Sequence, residues 1–164
     1  MVMDITIERA QIGDADLMVP VQIASFHYDS VLYPGVEIGG PPGYDSLDAF
    51  RTKIAREECY KIVHQGRIIG GLVIDAQDAV HHHLDVIFIE PDYQGYGIGT
   101  QALRFMEASY PGVQVWTLDT PTWAVRNQHF YEKNGYVREY TFDADDGTPL
   151  IAYKKQIPLT FPDE

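Results

Sequence analysis

A glycine-rich segment, Gln94-Gly95-Tyr96-Gly97-Ile98-Gly99-Thr100, has the residue types best suited to bind a phosphate group. It follows an apolar run over 83–89 and precedes a helical pattern over 101–109. Glycines let the backbone come close to an anion, and the free N–H groups of a first helical turn point at it. The segment therefore predicts a binding site for a phosphorylated ligand.

Two established phosphate motifs are alternatives for this segment. A P-loop needs Lys-Ser/Thr after its last glycine, but Gly99 is followed by Thr100-Gln101, which argues against it. The dinucleotide fingerprint G-x-G-x-x-G/A fits 97–102, and Asp119 follows at about the expected distance. Against it, Glu90-Pro91-Asp92-Tyr93 separates the apolar run from the glycine-rich segment, and too little chain follows for a second half-fold. A nicotinamide-dinucleotide-binding reductase stays an alternative.

An acyl-CoA pyrophosphate site is the third interpretation. The run 94–99 resembles the Arg/Gln-x-x-Gly-x-Gly/Ala signature of the GNAT superfamily of acyl-CoA-dependent N-acetyltransferases. Further on, Phe130-Tyr131-Glu132-Lys133-Asn134-Gly135-Tyr136 resembles the second signature of that family, Phe-Tyr-x-Lys-x-Gly-Phe/Tyr. Both occur in the family's order, separated by one apolar strand pattern. The resemblance implies acetyl-CoA as the cosubstrate, bound by residues 94–100.

The resemblance also implies roles for individual residues. Tyr131 would be the general acid that protonates the departing CoA thiolate and would contact the cofactor. The backbone near Phe88 and Ile89 would bulge away from the next strand and bind the pantetheine arm. Many family members have an asparagine at the position of Ala124. Here Asn127, one turn later, would cap the helix or hydrogen-bond the pantetheine instead.

The general base is expected on the strand before the glycine segment. His83 and Asp85 share a face with Ile87 and Ile89 if no bulge intervenes. Histidine has a suitable ordinary pKa of about 6.5, and the family's base often lies on this strand. Glu90 and a chain of water molecules are further candidates, so the base stays open.

A metal site is not expected at the adjacent histidines His81-His82-His83. Neighbouring residues of a strand point to opposite faces, so these three cannot ligate one ion together.

Specificity for the acceptor is expected from the loop 33–44 and the hairpin 142–148. Within and before that loop, Tyr28, Tyr33 and Tyr44 are the predicted walls of the acceptor pocket.

Composition limits the class of protein. The 164 residues correspond to one domain, 1–164, with 45% apolar and 22% charged residues. A net charge of −12 argues against nucleic-acid binding and is compatible with a cationic amine. The lone cysteine, Cys59, forms no intramolecular disulfide and is interpreted as a core residue, which suits the cytoplasm. No apolar run approaches the roughly 20 residues of a membrane span, and the N-terminus lacks signal-peptide features.

The hydrophobic periodicity predicts elements in the order β α α β β β α β α β β. The resemblance implies an α+β fold, an α/β sandwich, whose mixed and mostly antiparallel sheet is splayed in the middle and flanked by about four helices. Asp14 and Ser46 are the expected N-caps of the first two helices. The predicted strands are 3–9, 59–64, 67–75, 82–89, 113–118, 136–142 and 150–155, and the predicted helices are 14–26, 46–57, 101–109 and 127–134.

The sequence therefore predicts a single-domain cytoplasmic N-acetyltransferase that moves an acetyl group from acetyl-CoA to a primary amine by direct attack. The acceptor is a small-molecule or peptide amine whose identity stays open, and neither a nucleic acid nor a membrane is an expected partner. A homodimer through an edge strand is possible in this fold. The alternative in another class is a non-catalytic acyl-CoA-binding or regulatory module on the same fold.

Overall fold

The structure is a computed structural model, and it describes residues 3–158. Within this range, seven strands form one sheet and four helices cover its two faces. None of the helices in the described range is long and apolar enough to cross a membrane. In chain order the elements are β1 Thr6–Arg9, α1 Ala15–Val31, α2 Leu47–Arg56, β2 Glu58–His64, β3 Arg67–Asp75, β4 His81–Ile89, α3 Ile98–Ser109, β5 Val115–Pro121, α4 Val125–Lys133, β6 Val137–Asp143 and β7 Pro149–Gln156.

The sheet has the strand order β1-β2-β3-β4-β5-β7-β6. Neighbouring strands are antiparallel except β4 and β5, which are parallel. These two strands pair only from His81, opposite Val115, to His83, opposite Thr117, and then diverge. The predicted mixed, mostly antiparallel and centrally splayed sheet with four helices is confirmed.

Each face of the sheet has its own hydrophobic core. On one face α1 and α2 bury Met18 and Phe50 against Val73 and Phe88 of the sheet. Cys59 belongs to this core, and burial raises the pKa of its thiol to about 12, which supports its interpretation as a packing residue. The other core lies under α3 and α4. It includes Ile98, Leu103, Met106, Trp116, Tyr131 and Tyr153.

The helix boundaries differ from the predicted ones at several places. α3 begins at Ile98 rather than at residue 101, and α4 begins at Val125 rather than at residue 127. A 3₁₀ turn, Ile12–Asp14, precedes α1, and the Asp14 carboxylate accepts from the Gln11 N–H at 2.8 Å, so it does not cap α1. α1 also continues five residues beyond Phe26, because no helix-breaking residue occurs before Pro34. The predicted cap of α2 is confirmed, since the Ser46 hydroxyl accepts from the Ala49 N–H at 3.1 Å.

Two strands begin later than expected. β1 begins at Thr6 rather than at residue 3, because its partner β2 ends its pairing there with Val63 opposite Thr6. β5 begins at Val115 rather than at residue 113, because Val113 lies in the turn after α3, where its N–H donates to the Tyr110 carbonyl at 3.0 Å. These shifts leave the order of the elements as predicted.

Candidate active site

A cleft of about 990 Å³ opens where β4 and β5 diverge. Its walls come from α1, the loop 35–42, β4, the glycine segment, the end of β5, α4 and the hairpin 144–150. The cleft therefore runs between the two sides of the sheet. The predicted site residues that line it are His83, Asp85, Phe88, Ile89, Gln94, Gly95, Gly97, Ile98, Gly99, Thr100, Asn127 and Tyr131.

The glycine segment forms the N-terminus of α3, as predicted. Gly95 and Gly97 have φ of +86° and +79°, a left-handed backbone that side chains rarely adopt, and Gly97 is the N-cap. A Cβ on Gly99 would lie 2.8 Å from the Phe130 ring, so glycine is needed for α3 to approach α4. Tyr96 is half exposed and lies outside the cleft lining, which removes its side chain from the predicted contacts.

The backbone N–H and C=O groups of β4 that face the gap toward β5 do not belong to Phe88. The Phe88 carbonyl oxygen lies against Gly70 of β3, and the next-but-one N–H, of Glu90, donates to the Ile69 carbonyl at 2.8 Å. Because strand residues alternate, the backbone groups of Ile87 and Ile89 face the gap toward β5. The Gln94 side-chain amide donates to the Ile89 carbonyl at 2.9 Å. The backbone groups that face the gap therefore belong to Ile87 and Ile89 and not to Phe88, and a contact of Ile89 with the pantetheine arm stays a prediction.

A β-bulge at Asp85 changes the face on which the candidate bases lie. Val73 of β3 is opposite Val86, whereas Ile74 is opposite Leu84, so Asp85 is an extra residue in β4. Val86 accordingly joins the core under α1 and α2, and Leu84 joins the core under α3 and α4. The expectation that His83 and Asp85 share a face with Ile87 and Ile89 is wrong, because the bulge inverts the alternation.

His83 lies at the narrow end of the cleft. Its Nδ1 is 2.7 Å from the Thr117 hydroxyl, and its Nε2 is 3.6 Å from a carboxylate oxygen of Asp119. Thr117 and Asp119 are on β5, so the imidazole bridges the two strands at the point where they separate. Burial, together with the charge of Asp85, raises the pKa of Asp119 although the nearby imidazole opposes this change.

Asp85, the second candidate base, is held in an ion pair. The Lys53 ammonium of α2 donates to its carboxylate at 2.9 Å. The neighbouring Glu57 carboxyl is partly buried, and burial and the charge of Asp85 raise its pKa to about 7. A carboxylate that is paired with a lysine is a weaker proton acceptor, so this geometry favours His83 over Asp85.

Tyr131 lies deep in the cleft, with 8% of its surface exposed. Its ring packs edge-on against Tyr136, with centroids 6.0 Å apart, and against Tyr153. Burial, and to a smaller degree the charge of Asp29, raises the pKa of Tyr131 above its ordinary value. The phenol therefore keeps its proton at neutral pH, as a general acid must.

Asp29 of α1 is a site residue that the sequence did not indicate. Its carboxylate lines the cleft, and burial raises its pKa to about 6 against the opposing charge of Arg126. Arg126 lines the same cleft from the first turn of α4. One feature of the sequence could have pointed to Asp29: Ser25 and Asp29 are polar residues one turn apart on a helix that is otherwise rich in apolar residues.

The three tyrosines predicted to wall the acceptor pocket lie outside the cleft lining. The Tyr33 hydroxyl accepts from the Arg126 N–H at 2.8 Å and so caps α4. The Tyr44 hydroxyl is 2.7 Å from His27 Nε2, and its ring packs against Gly40. Tyr28 is 39% exposed and lies under the Arg126 guanidinium. These side chains anchor the walls, whereas loop residues 35–42 themselves face the cleft.

Asn127 lies in the first turn of α4 and lines the cleft, but it does not cap the helix, because the N-cap is the buried Ala124.

Residues 3–158 contain no group of three or more His, Cys, Asp or Glu side chains that could hold a metal ion. The largely antiparallel sheet also differs from the parallel, doubly wound sheet on which the dinucleotide fingerprint acts, so the reductase alternative does not fit the fold.

Known proteins are similar to this chain in sequence or in fold. The chain is 25% identical over 157 residues to S-(2-succino)cysteine N-acetyltransferase of Bacillus subtilis (strain 168), covering 88% of this chain and 91% of that protein. It is 36% identical over 73 residues to the uncharacterized protein YrkN of the same organism, a match that covers 44% of this chain and only 40% of YrkN. The crystal structure of PaiA N-acetyltransferase from Thermoplasma acidophilum, in complex with coenzyme A, superposes with a TM-score of 0.79 at 19% identity, over 94% of this chain and 100% of that one.

The family comparison covers both signatures. Residues 55–138, about half of the chain, match the model of the acetyltransferase (GNAT) domain. This segment contains the glycine loop, the splayed strand β4 and Tyr131. The chain therefore belongs to the GNAT acetyltransferase family and is an acetyltransferase, with acetyl-CoA as the typical cosubstrate.

Proposed function

We propose that this chain transfers the acetyl group of acetyl-CoA to a primary amine by direct attack, with Tyr131 as general acid and His83 as general base. One observation carries the proposal: a single cleft is lined both by the N-terminus of α3 and by Asp29 of α1. The buried phenol of Tyr131 lies along this cleft, and His83 lies at its narrow end. Two substrates that enter from opposite ends would meet between these groups.

The residues present fit a CoA thioester. The first-turn N–H groups of α3 would bind the pyrophosphate, helped by the helix dipole, and Lys133 adds the positive charge of a side chain at the cleft. The open backbone groups of Ile87 and Ile89 would hold the pantetheine amides in the manner of an added strand. Asn127 is placed to hydrogen-bond the same arm. The thioester supplies an acyl group on a good leaving group.

Proton transfer would be divided between the two ends of the cleft. A lysine-like amine has an ordinary pKa of about 10.4, so freeing its lone pair at pH 7 costs roughly 4–5 kcal/mol without a base. His83 would accept this proton, because its Nε2 faces the Asp119 carboxylate, which stabilises the imidazolium. Tyr131 would then protonate the thiolate, because burial keeps the phenol neutral until the sulfur leaves.

The charges of the cleft indicate the class of amine. Its lining includes five carboxylates but only two permanently cationic side chains, Arg126 and Lys133. A cationic acceptor, such as a linear polyamine, suits this surface better than an acceptor with several carboxylates, such as the S-(2-succino)cysteine used by the Bacillus relative. The five carboxylates are Asp29, Glu37, Asp85, Asp119 and Asp146.

Release of free thiol from acetyl-CoA tests the proposal. The acceptor panel is spermidine, an alanyl peptide and S-(2-succino)cysteine, and each acetylated product is identified by mass spectrometry. We expect turnover with spermidine, and we expect Tyr131→Phe to bind acetyl-CoA without turning over. Tight binding of acetyl-CoA with no turnover for any amine would instead support a non-catalytic acyl-CoA-binding module.

A further inference from the structure

Three side chains within hydrogen-bond distance bridge the last paired residues of β4 and β5, and the Asp119 carboxylate lies beside them. The Thr117 hydroxyl lies between two histidines, 3.3 Å from His81 Nε2 and 2.7 Å from His83 Nδ1. On its other side, His83 Nε2 faces Asp119 at 3.6 Å. The order along the chain is therefore His81, Thr117, His83 and Asp119.

The two ends of this chain lie in different surroundings. His83 and Asp119 line the cleft, whereas His81 lies at the first residue of β4, outside the cleft lining and partly exposed. His81 and His83 share a face because they are two residues apart on a strand. Thr117 is opposite His83 in the parallel pairing and closes the gap between the rings. The chain thus links the reaction cleft to solvent past the point where the strands meet.

The proposed reaction must release a proton. An ammonium group that becomes an amide loses two protons, while one N–C bond forms and the C–S bond breaks. One of these protons is needed on the departing sulfur, which Tyr131 supplies and later regains. The second proton has to leave the enzyme in every turnover. His83 is the histidine among the described residues that line the cleft, so its imidazole is placed to take this proton.

We propose that His81, Thr117, His83 and Asp119 form a proton relay that carries this second proton from the cleft to solvent. The inference rests on the proposed function. The proton enters at His83 Nε2, where Asp119 stabilises the charged ring. His83 then passes its Nδ1 proton to the Thr117 oxygen as the Thr117 hydroxyl proton moves to His81 Nε2. His81 releases a proton from Nδ1 to water, so one proton enters and one leaves.

The groups around the relay are mainly acidic. Asp75 of β3 is opposite His83, and Asp85 lies on the same strand as His83. Lys53 of α2 pairs with Asp85, and Glu57, directly after α2, lies near Asp85. Only Lys53 among these is positively charged, and its ammonium is paired with Asp85. The surrounding charges therefore favour a proton that resides on the relay. The relay also gives a role to two of the three adjacent histidines, His81 and His83.

Buffer-dependent turnover tests the relay, measured by thiol release with acetyl-CoA and spermidine. We expect Thr117→Val and His81→Gln to lower kcat by about tenfold, less than the roughly 100-fold or more expected when a direct base is removed. Their kcat should rise with buffer concentration and with added imidazole, because a small base replaces the interrupted path. Thr117→Ser keeps the hydroxyl and should keep wild-type turnover. His129→Gln, an exposed histidine outside the cleft lining, is the matched control.

Two results overturn the relay. One is a lowered kcat in His81→Gln that is independent of buffer and imidazole, which indicates a structural role. The other is unchanged kcat in both Thr117→Val and His81→Gln, which shows that the proton leaves elsewhere. In either case wild-type turnover leaves the proposed function in place. Absence of wild-type turnover with every amine of the panel would refute the function itself, and the relay with it.

Discussion

Asp29→Asn tests the electrostatics of the cleft, because burial of the charged Asp29 carboxylate lowers the free energy of unfolding. Burial raises its pKa from 3.8 to about 6, so the folded chain keeps a proton that the unfolded chain has lost between these pH values. Wild-type stability therefore falls as the pH rises from about 4 to about 6 and stays lower above that range. At about 1.36 kcal/mol per pKa unit, the full cost is about 3 kcal/mol. Partial solvent screening leaves about 1–3 kcal/mol.

Asparagine has nearly the same shape and no charge to bury. We expect Asp29→Asn to be more stable than the wild type by about 1–3 kcal/mol at pH 7.5, which corresponds to a Tm increase of roughly 2–10 °C for a chain of this size. At pH 4 the two proteins should melt together. Thermal unfolding followed by circular dichroism at both pH values measures this, and Asp45→Asn, an exposed loop carboxylate, is the control.

The same variant should lose function while it gains stability. If Asp29 attracts the cationic acceptor, Asp29→Asn raises the KM for spermidine and leaves the affinity for acetyl-CoA unchanged. Equal melting temperatures of variant and wild type at pH 7.5, or a variant that is less stable there, would refute the electrostatic reasoning. A variant that is more stable but has an unchanged KM would remove Asp29 from acceptor binding and leave only its effect on stability.

Three further variants test the remaining parts of the site. Tyr131→Phe should lower kcat by about 100-fold or more without loss of acetyl-CoA binding, whereas weakened binding in calorimetry would make the tyrosine structural. Gly97→Asp should abolish acetyl-CoA binding, because it places an anion and a strained side chain in the phosphate loop, while Gly66→Asp carries the same left-handed φ elsewhere and should bind normally. Gly70→Ala should weaken acetyl-CoA binding, because the new Cβ would overlap a β4 carbonyl oxygen and displace the strand. Gly13→Ala is the control, because open space surrounds that position, and it should bind acetyl-CoA normally. Equal affinities of the two variants would show that β4 does not hold the pantetheine.

The parts of the site that the sequence predicts are those encoded by local spacing. Gly95 and Gly97 need left-handed backbone, and Gly99 needs close contact with α4, so all three are visible as a motif. Tyr131 follows from the second signature in the same way. The order of the elements was also predicted, because hydrophobic periodicity and turn residues act within a few positions of each other. The splay of the sheet was expected only from the family resemblance.

The other features depend on tertiary contacts. The bulge at Asp85 has no signal in β4 alone, because it arises from the pairing of Leu84 and Val86 with consecutive residues of β3. It reverses the face of His83, on which the choice of base depends. Asp29 and Asp119 come from α1 and β5, distant in sequence from the motifs, so only the folded chain brings them to the cleft. Tyr33 and Tyr44 were mispredicted as pocket walls because their hydroxyls anchor the loop to α4 and α1, and Tyr28 was mispredicted because it lies on α1 under the Arg126 guanidinium.

Isothermal titration calorimetry with acetyl-CoA, with NADH as the control ligand, tests the central claim most directly. The glycine loop, the open strand β4 and Tyr131 all serve the binding of one thioester cosubstrate. We expect micromolar binding of acetyl-CoA and no heat of binding with NADH. A titration without acetyl-CoA binding, or with equal binding of NADH, would contradict the assignment of the cleft and with it the proposed chemistry.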